Sequence, residues 1–371
     1  MSINEIIIYI MVIFMVIGVI DKILGNKFGY GEKFEEGVMA MGSLTLAMVG
    51  IISLSPVLAN VLKPIVVPVY TALGADPSMF ATTLLACDMG GYQLAQQLAV
   101  DKSIAPFAGL VLGGMMGPTI VFTIPVALGI IEKKDQKYLA KGVLAGMITI
   151  PIGCFVGGLV AGLSPIVILK NLTPIIIFAI LIALGLKFAQ EKMIKGFTYF
   201  GKFVTAIITV GLAAIIIETL TGIVVIPGMA PISTGIKIVG DITIVLAGAY
   251  PLVHFITKVF SKPLMKLGSL LGMGEVAAAG MIATLANNIP MFGMMKDMDE
   301  RGKIINVAFA VSAAFVFGDH LGFAAGVNRD MITAMIVGKL VGGATAIVVA
   351  CLIAPKAETA KLDNLAAESN A

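Results

Sequence analysis

The chain has 371 residues, 58% hydrophobic and 13% charged, with a net charge of +3. Soluble domains carry about 25% charged residues, so a soluble enzyme or soluble binding module is excluded, and the small, scattered charge excludes a nucleic-acid partner. Mean hydropathy is +1.03, and apolar runs of about 20 residues recur from end to end, the length of a bilayer-crossing helix rather than a barrel strand.

In chain order, full crossings are predicted at about 3–24, 38–62, 104–131, 142–162, 171–188, 200–226, 236–257, 304–326 and 331–354. The first run lacks a basic flank and a small-residue cleavage site, so it is expected to be a crossing and not a cleaved leader. Two further segments, about 77–99 and 275–295, have polar centres. Lysine and arginine counts arbitrate their path, because cytoplasmic loops are enriched in both. If each segment enters and leaves on one side, 19 basic residues face one side and 5 the other, with Lys339 inside a helix. If both segments cross, the split is 10 against 14 and the bias vanishes. The expectation is therefore an all-α polytopic protein with about nine full crossings and two re-entrant hairpins. Its N-terminus is expected outside the cell membrane and its C-terminus inside.

The two halves resemble each other. Lys63-Pro64-Ile65 matches Lys262-Pro263-Leu264, and Leu85-Ala86-Cys87-Asp88 matches Leu285-Ala286-Asn287-Asn288. Gly117-Pro118-Thr119-Ile120 falls opposite Gly318-Asp319-His320-Leu321, and the glycines and threonine of Gly142, Gly146 and Thr149 match Gly338, Gly342 and Thr345. An odd number of crossings separates equivalent helices, so the repeats are expected to be inverted, with a binding site at their interface near the midplane. The chain is thus expected to form one transport domain over 1–354: repeat one at about 1–165, a connecting helix at 166–195, and repeat two at about 196–354. A polar cytoplasmic tail is expected at 355–371.

Charge and broken backbone inside lipid mark candidate functional residues. Asp88 stands at the expected tip of the first hairpin, ahead of Gly90-Gly91, which permit a sharp turn. A carboxylate near mid-bilayer needs a cation, a proton or a full set of hydrogen bonds. It contacts substrate or a coupling ion, or else pairs locally and holds the hairpin closed. Asn287 and Asn288 occupy the matching tip and offer neutral hydrogen-bonding groups, unless they only cap broken helix ends. Asp319-His320 interrupts a helix, and a histidine beside a carboxylate can relay protons. Thr83 and Thr119 add hydroxyls, with Thr82 and Thr123 nearby, although threonine often bonds back to its own helix. Tyr92, matched by Phe292, can offer a ring face to a cation or simply pack. Glu218 is a further intramembrane acid, for substrate or for pairing with Lys339 or Lys237. The spacing of Cys87, Cys154 and Cys351 fits neither a metal site nor a disulfide framework. Gly196 to Gly201-Lys202 continues into Phe203 where a phosphate loop needs Ser or Thr. No catalytic residue, metal or cofactor is expected.

Three stretches carry a family resemblance: Asn26-Lys27-Phe28-Gly29-Tyr30-Gly31-Glu32-Lys33-Phe34-Glu35-Glu36-Gly37, the run from Pro77 through Cys87-Asp88-Met89-Gly90-Gly91, and Phe317-Gly318-Asp319-His320-Leu321-Gly322. The chain resembles the bacterial ethanolamine-utilisation transporter family, EutH, over all but its tail. The resemblance implies a cytoplasmic-membrane protein that brings ethanolamine into cells using it as a carbon or nitrogen source. The residues themselves leave other readings open. One is a Na⁺- or H⁺-coupled carrier of another small metabolite; another is an intramembrane enzyme using Asp88 and Asp319 as a carboxylate pair. A broad scaffold interface would suit a homodimer, though no sequence feature demonstrates one.

Overall fold

The computed structural model describes residues 1–355; the tail expected at 355–371 lies outside them apart from Pro355. Every regular element among the described residues is helical. In order these are α1 (Ile3–Ile23), α2 (Tyr30–Ala72), α3 (Ser78–Leu84), α4 (Tyr92–Leu98), the broken helix α5 (Phe107–Ile130), α6 (Gln136–Val160), α7 (Pro165–Phe188), α8 (Gln190–Thr221), α9 (Ile232–Leu270), α10 (Glu275–Ala286), α11 (Asn288–Met294), α12 (Glu300–Ala313), α13 (Asp319–Val327) and α14 (Ile332–Ile353). Eight of the helical stretches are long and apolar enough to cross a membrane.

Local chemistry sets the ends. Ser2 and Glu5 form a reciprocal capping box at the start of α1, satisfying donors that the first turn leaves free. Asp21 accepts from the amides of Phe28, Tyr30 and Gly31 at 2.8–3.0 Å and so fixes the turn into α2. Two differences from expectation stand out. Helix α2 runs for 43 residues and α9 for 39, well past the expected crossings at 38–62 and 236–257. At 1.5 Å per residue α2 spans about 65 Å, twice the hydrocarbon thickness. Pro56, Pro64 and Pro68 in α2, and Pro251 and Pro263 in α9, sit inside the helices rather than ending them, as apolar surroundings permit. The expected crossing at 304–326 is instead divided into α12 and α13 by a break at 314–318.

The core is held by glycine-mediated crossings that come in exchanged pairs. Helix α1 packs on α9, and α8 packs on α2. A side chain at Gly50 of α2 would strike the Ile208 carbonyl of α8, and one at Gly248 of α9 would strike the Met11 carbonyl of α1. Likewise Gly37 of α2 abuts Leu246 and Ala247 of α9, while Gly235 of α9 abuts Val49 of α2. The second member of each pair follows the first at one constant spacing (37 to 235, 50 to 248). Helices α6 and α14 meet along Gly153, Gly157, Gly338 and Gly342. Small residues of this kind let helix backbones approach where no hydrophobic effect drives them together. The outer faces of α7 and α8 expose Leu181, Leu184, Phe203 and Val210.

Each polar-centred segment is closed at its base by one aspartate. Asp76 accepts from Ser78 at the start of α3 and from Val100 and Asp101 just after α4, at 2.7–3.0 Å. Its own amide donates to Asn171 Oδ1 at 2.7 Å. In the other half Asp299, following α11, accepts from Gly274 before α10 at 2.8 Å and from Gly302 in α12 at 2.7 Å. Bonds to an ionised acceptor contribute about 1.5–3 kcal/mol each. Asp76→Ala is therefore expected to lower the thermal midpoint in detergent by several degrees and to expose the 99–101 stretch to protease. Asp241→Ala, which removes only the exposed pair with Lys237 (side-chain exposure 77% and 42%), should shift the midpoint little.

Candidate functional site

Two helix breaks meet at the centre of the molecule. Between α3 and α4 the backbone leaves helical geometry at Met89 and Gly90, where Gly90 takes φ +85°. That conformation and the adjacent Ile51 side chain leave no room for a Cβ. The Cys87 amide just before this turn donates to the Gly113 carbonyl, freed by the break in α5, at 2.8 Å. The other half solves the same problem with the roles reversed. Phe315 and Phe317, in the break between α12 and α13, donate to the Thr284 and Leu285 carbonyls of α10 at 3.1 and 3.0 Å. Close approach again needs glycine: a side chain at Gly117 would strike the Leu85 carbonyl, and one at Gly318 the Ala286 carbonyl. Phe315 holds φ +64°, a region costly for an aromatic residue.

A cavity of about 220 Å³ opens between the breaks, lined by Asp88, Asp319, His320, Phe122, Phe315 and Ser43 among others. Asp88 is 21% exposed into it, and its Oδ1 lies 4.0 Å from His320 Nε2, too far for a direct hydrogen bond. The imidazole is buried and leans on the Phe315 ring at 5.1 Å between centroids. Phe315 in turn meets Phe122 edge-on at 5.7 Å. On its far side His320 Nδ1 faces Lys339 Nζ at 3.1 Å. The Lys339 ammonium, 1% exposed, also donates to the Gly114 carbonyl. With Lys339 as donor, Nδ1 accepts, so the ring proton sits on Nε2 and is aimed at Asp88. Asp319 accepts from the Tyr250 hydroxyl of α9 at 2.5 Å.

A second cavity of about 330 Å³ adjoins the first, lined by Lys33, Glu36, Tyr250, His254, Asn287 and Pro290 among others. Tyr250 in the wall of the second space bonds Asp319 in the wall of the first, so this one bond links the two linings.

Of the residues singled out from sequence, Asp88, Asp319 and His320 converge on one cavity. Asn287 lines the neighbouring one and caps α11 by accepting from Ile289. Asn288 is buried and donates to Thr123 Oγ1 at 3.0 Å, its Oδ1 without a partner among the described residues. Thr83 bonds the Met79 carbonyl of its own helix, and Thr82 crosses to the Ala108 carbonyl. Thr119 bonds Met115 and Val311 carbonyls, joining α5 to α12. Tyr92 packs edge-on against Phe323. Of the two readings open for Glu218, pairing with Lys339 or Lys237 is not seen among the described residues: Lys339 is bound to Gly114 and His320, and Lys237 pairs with Asp241 at 2.6 Å.

Sequence reasoning missed Lys339 and Tyr250 as members of this site. A lysine inside an apolar crossing was a signal for the first; nothing but the adjacent Pro251 marked the second. It also missed that ligand atoms of Cys87, Asp88 and His320 all lie within 4.8 Å of one another. Metal-bound histidines donate their second nitrogen to a carbonyl or carboxylate, whereas here that nitrogen faces a lysine. The arrangement suits a proton or an ammonium better than a metal ion.

The family described as "Ethanolamine utilisation protein, EutH" matches residues 3–353. The chain is 70% identical to the probable ethanolamine permease EutH of Listeria monocytogenes, covering 98% of this chain and 100% of that one. It is 56% identical to the probable ethanolamine permease EutH of Salmonella typhimurium, over 98% of both chains. The Bacillus subtilis protein YxeR, uncharacterized, is 54% identical over 97% of both. No solved structure matches. The chain belongs to the EutH family.

The break geometry makes a direct prediction. Gly90→Ala forces a Cβ into left-handed backbone, costing about 1–2 kcal/mol, and against Ile51 besides. It should lower the thermal midpoint in detergent and the yield of folded protein. Gly42→Ala, in α2 with open space around it, should be neutral or stabilising by up to about 1 kcal/mol.

Proposed function

With membership of this family as the premise, we propose that the protein is a multi-pass transporter that takes up ethanolamine and holds its protonated amine at Asp88. The observation that carries the reading is the convergence of Asp88 and Asp319 on one small cavity from two separate helix breaks. With both acids ionised and Lys339 protonated, the cluster bears one net negative charge, which a single ammonium neutralises. Without the ammonium, that charge is removed only by protonating one of the acids. The rings of Phe122 and Phe315 line the same space and favour a cation at their faces. The hydroxyl of the solute then falls to His320 or Asp319. Asn288, Thr83, Thr119 and Tyr92 support the walls in this reading, and Asn287 serves the second chamber. Passage from one chamber to the other parts Tyr250 from Asp319.

Architecture supports transport rather than turnover. The exchanged contacts, α1 on α9 against α8 on α2, are what two structural repeats related by a pseudo-two-fold axis produce. The aspartate clamps that join the start and end of each polar-centred segment favour re-entrant hairpins. With both hairpins re-entrant, the lysine bias favours an N-terminus outside and a C-terminus in the cytoplasm. The relatives are named permeases, which favours a carrier over an intramembrane enzyme, and an ethanolamine carrier over one for another metabolite.

The test is uptake of labelled ethanolamine by proteoliposomes at mildly acidic external pH, where the amine is protonated. Asp88→Asn and Asp319→Asn are each expected to reduce initial uptake at least about tenfold, the equivalent of about 1.4 kcal/mol. Tyr250→Phe, which removes the bond between the chambers, should instead raise the rate at saturating substrate. Full uptake surviving in both aspartate variants would sink the proposed site.

A further inference from the structure

Resting on that reading, we infer that Lys339 is a resident, tethered cation that stands where a free coupling ion would bind, so that uptake needs no sodium. Buried lysines are costly unless paired, and the chain shows both solutions. Lys303 meets Asp135 directly at 2.7 Å, with side-chain exposures of 7% and 0%. Lys339 is equally buried, yet no described carboxylate lies within 4.0 Å of it. Its partners are the Gly114 main-chain carbonyl and an imidazole nitrogen. A carbonyl released by a helix break, completed by a polar side chain, is what coordinates small monovalent cations in carriers with broken helices. Here the break in α5 supplies the carbonyl, and α14 delivers the positive charge on a four-carbon stem.

The surroundings define what this charge does. Facing it are His320 at 3.1 Å and, beyond the ring, Asp88; Asp319 is engaged by Tyr250. The buried thiols Cys87 and Cys154 are the other titratable groups that face it. Asp88 is therefore balanced through one imidazole rather than by contact, which keeps its oxygens available to the solute. A diffusible cation could perform that balancing and would be carried along with the substrate. A covalently held one cannot leave, so no sodium gradient is consumed at this position.

Ethanolamine uptake by proteoliposomes in sodium chloride and in potassium chloride at equal ionic strength tests the inference. The intact protein should show equal initial rates in the two salts. Lys339→Met, shown to be folded by a single symmetric elution peak, should lose at least about tenfold in potassium chloride and recover part of that loss in sodium or lithium chloride, because a small cation can then occupy the vacated place beside Gly114 and His320. A merely structural lysine would not produce such salt-specific rescue. Stimulation of the intact protein by sodium of several-fold or more overturns the inference, as does an undiminished rate for Lys339→Met in potassium chloride. The comparison on the intact protein stands even if the variant fails to fold. Uptake that proves sodium-dependent removes only this inference, whereas no uptake in either salt overturns the ethanolamine reading and the inference with it.

Discussion

Everything in this molecule depends on breaking helices inside an apolar interior without orphaning the backbone. Hydrocarbon offers no hydrogen bonds, and each unsatisfied amide or carbonyl there costs several kcal/mol. The solution is mutual: the break beside Asp88 and the break in α5 satisfy one another through Cys87 and Gly113, and the break before Asp319 leans on Thr284 and Leu285 of α10. Such close contact between main chains is possible only because Gly117 and Gly318 present no side chain to the opposing carbonyls. Once breaks are secured this way, the residues on them can be polar, and Asp88, Asp319 and His320 line a common cavity.

The charges are graded by how they are satisfied. Pairs at the rim, such as Lys22 with Glu35 and Lys237 with Asp241, are exposed and contribute little. Lys303 and Asp135 make a buried pair that joins the start of α12 to the turn before α6. The central group differs from both: Asp88, His320 and Lys339 form a line in which no acid touches a base. A structural ion pair would close those gaps; an open spacing is what the proposed amine site requires.

Much of this was legible in the sequence. Asp88 and Asp319 stood out because charge in an apolar run is rare, and the glycines flanked them at spacings that only a turn or a close crossing requires. Eight of the nine expected crossings were legible from length and apolarity, the one at 304–326 being divided. The ends of α2 and α9 were not, because both helices continue through prolines such as Pro64 and Pro263, which apolar surroundings tolerate. Nor could one dimension show that Asn287 and Asn288, at the position matching Asp88, would turn to a neighbouring chamber and to Thr123. A match in sequence between the two halves does not by itself put two positions on one cavity. Tyr250 carried no mark of its role, because its meaning comes from a partner 69 residues away.

The clamps formed by Asp76 and Asp299 bond main-chain amides. They therefore hold the ends of their segments without regard to which side chains stand at the tips. Anchorage and tip chemistry are thus separable: a side chain exchanged at either tip leaves every one of these main-chain bonds in place.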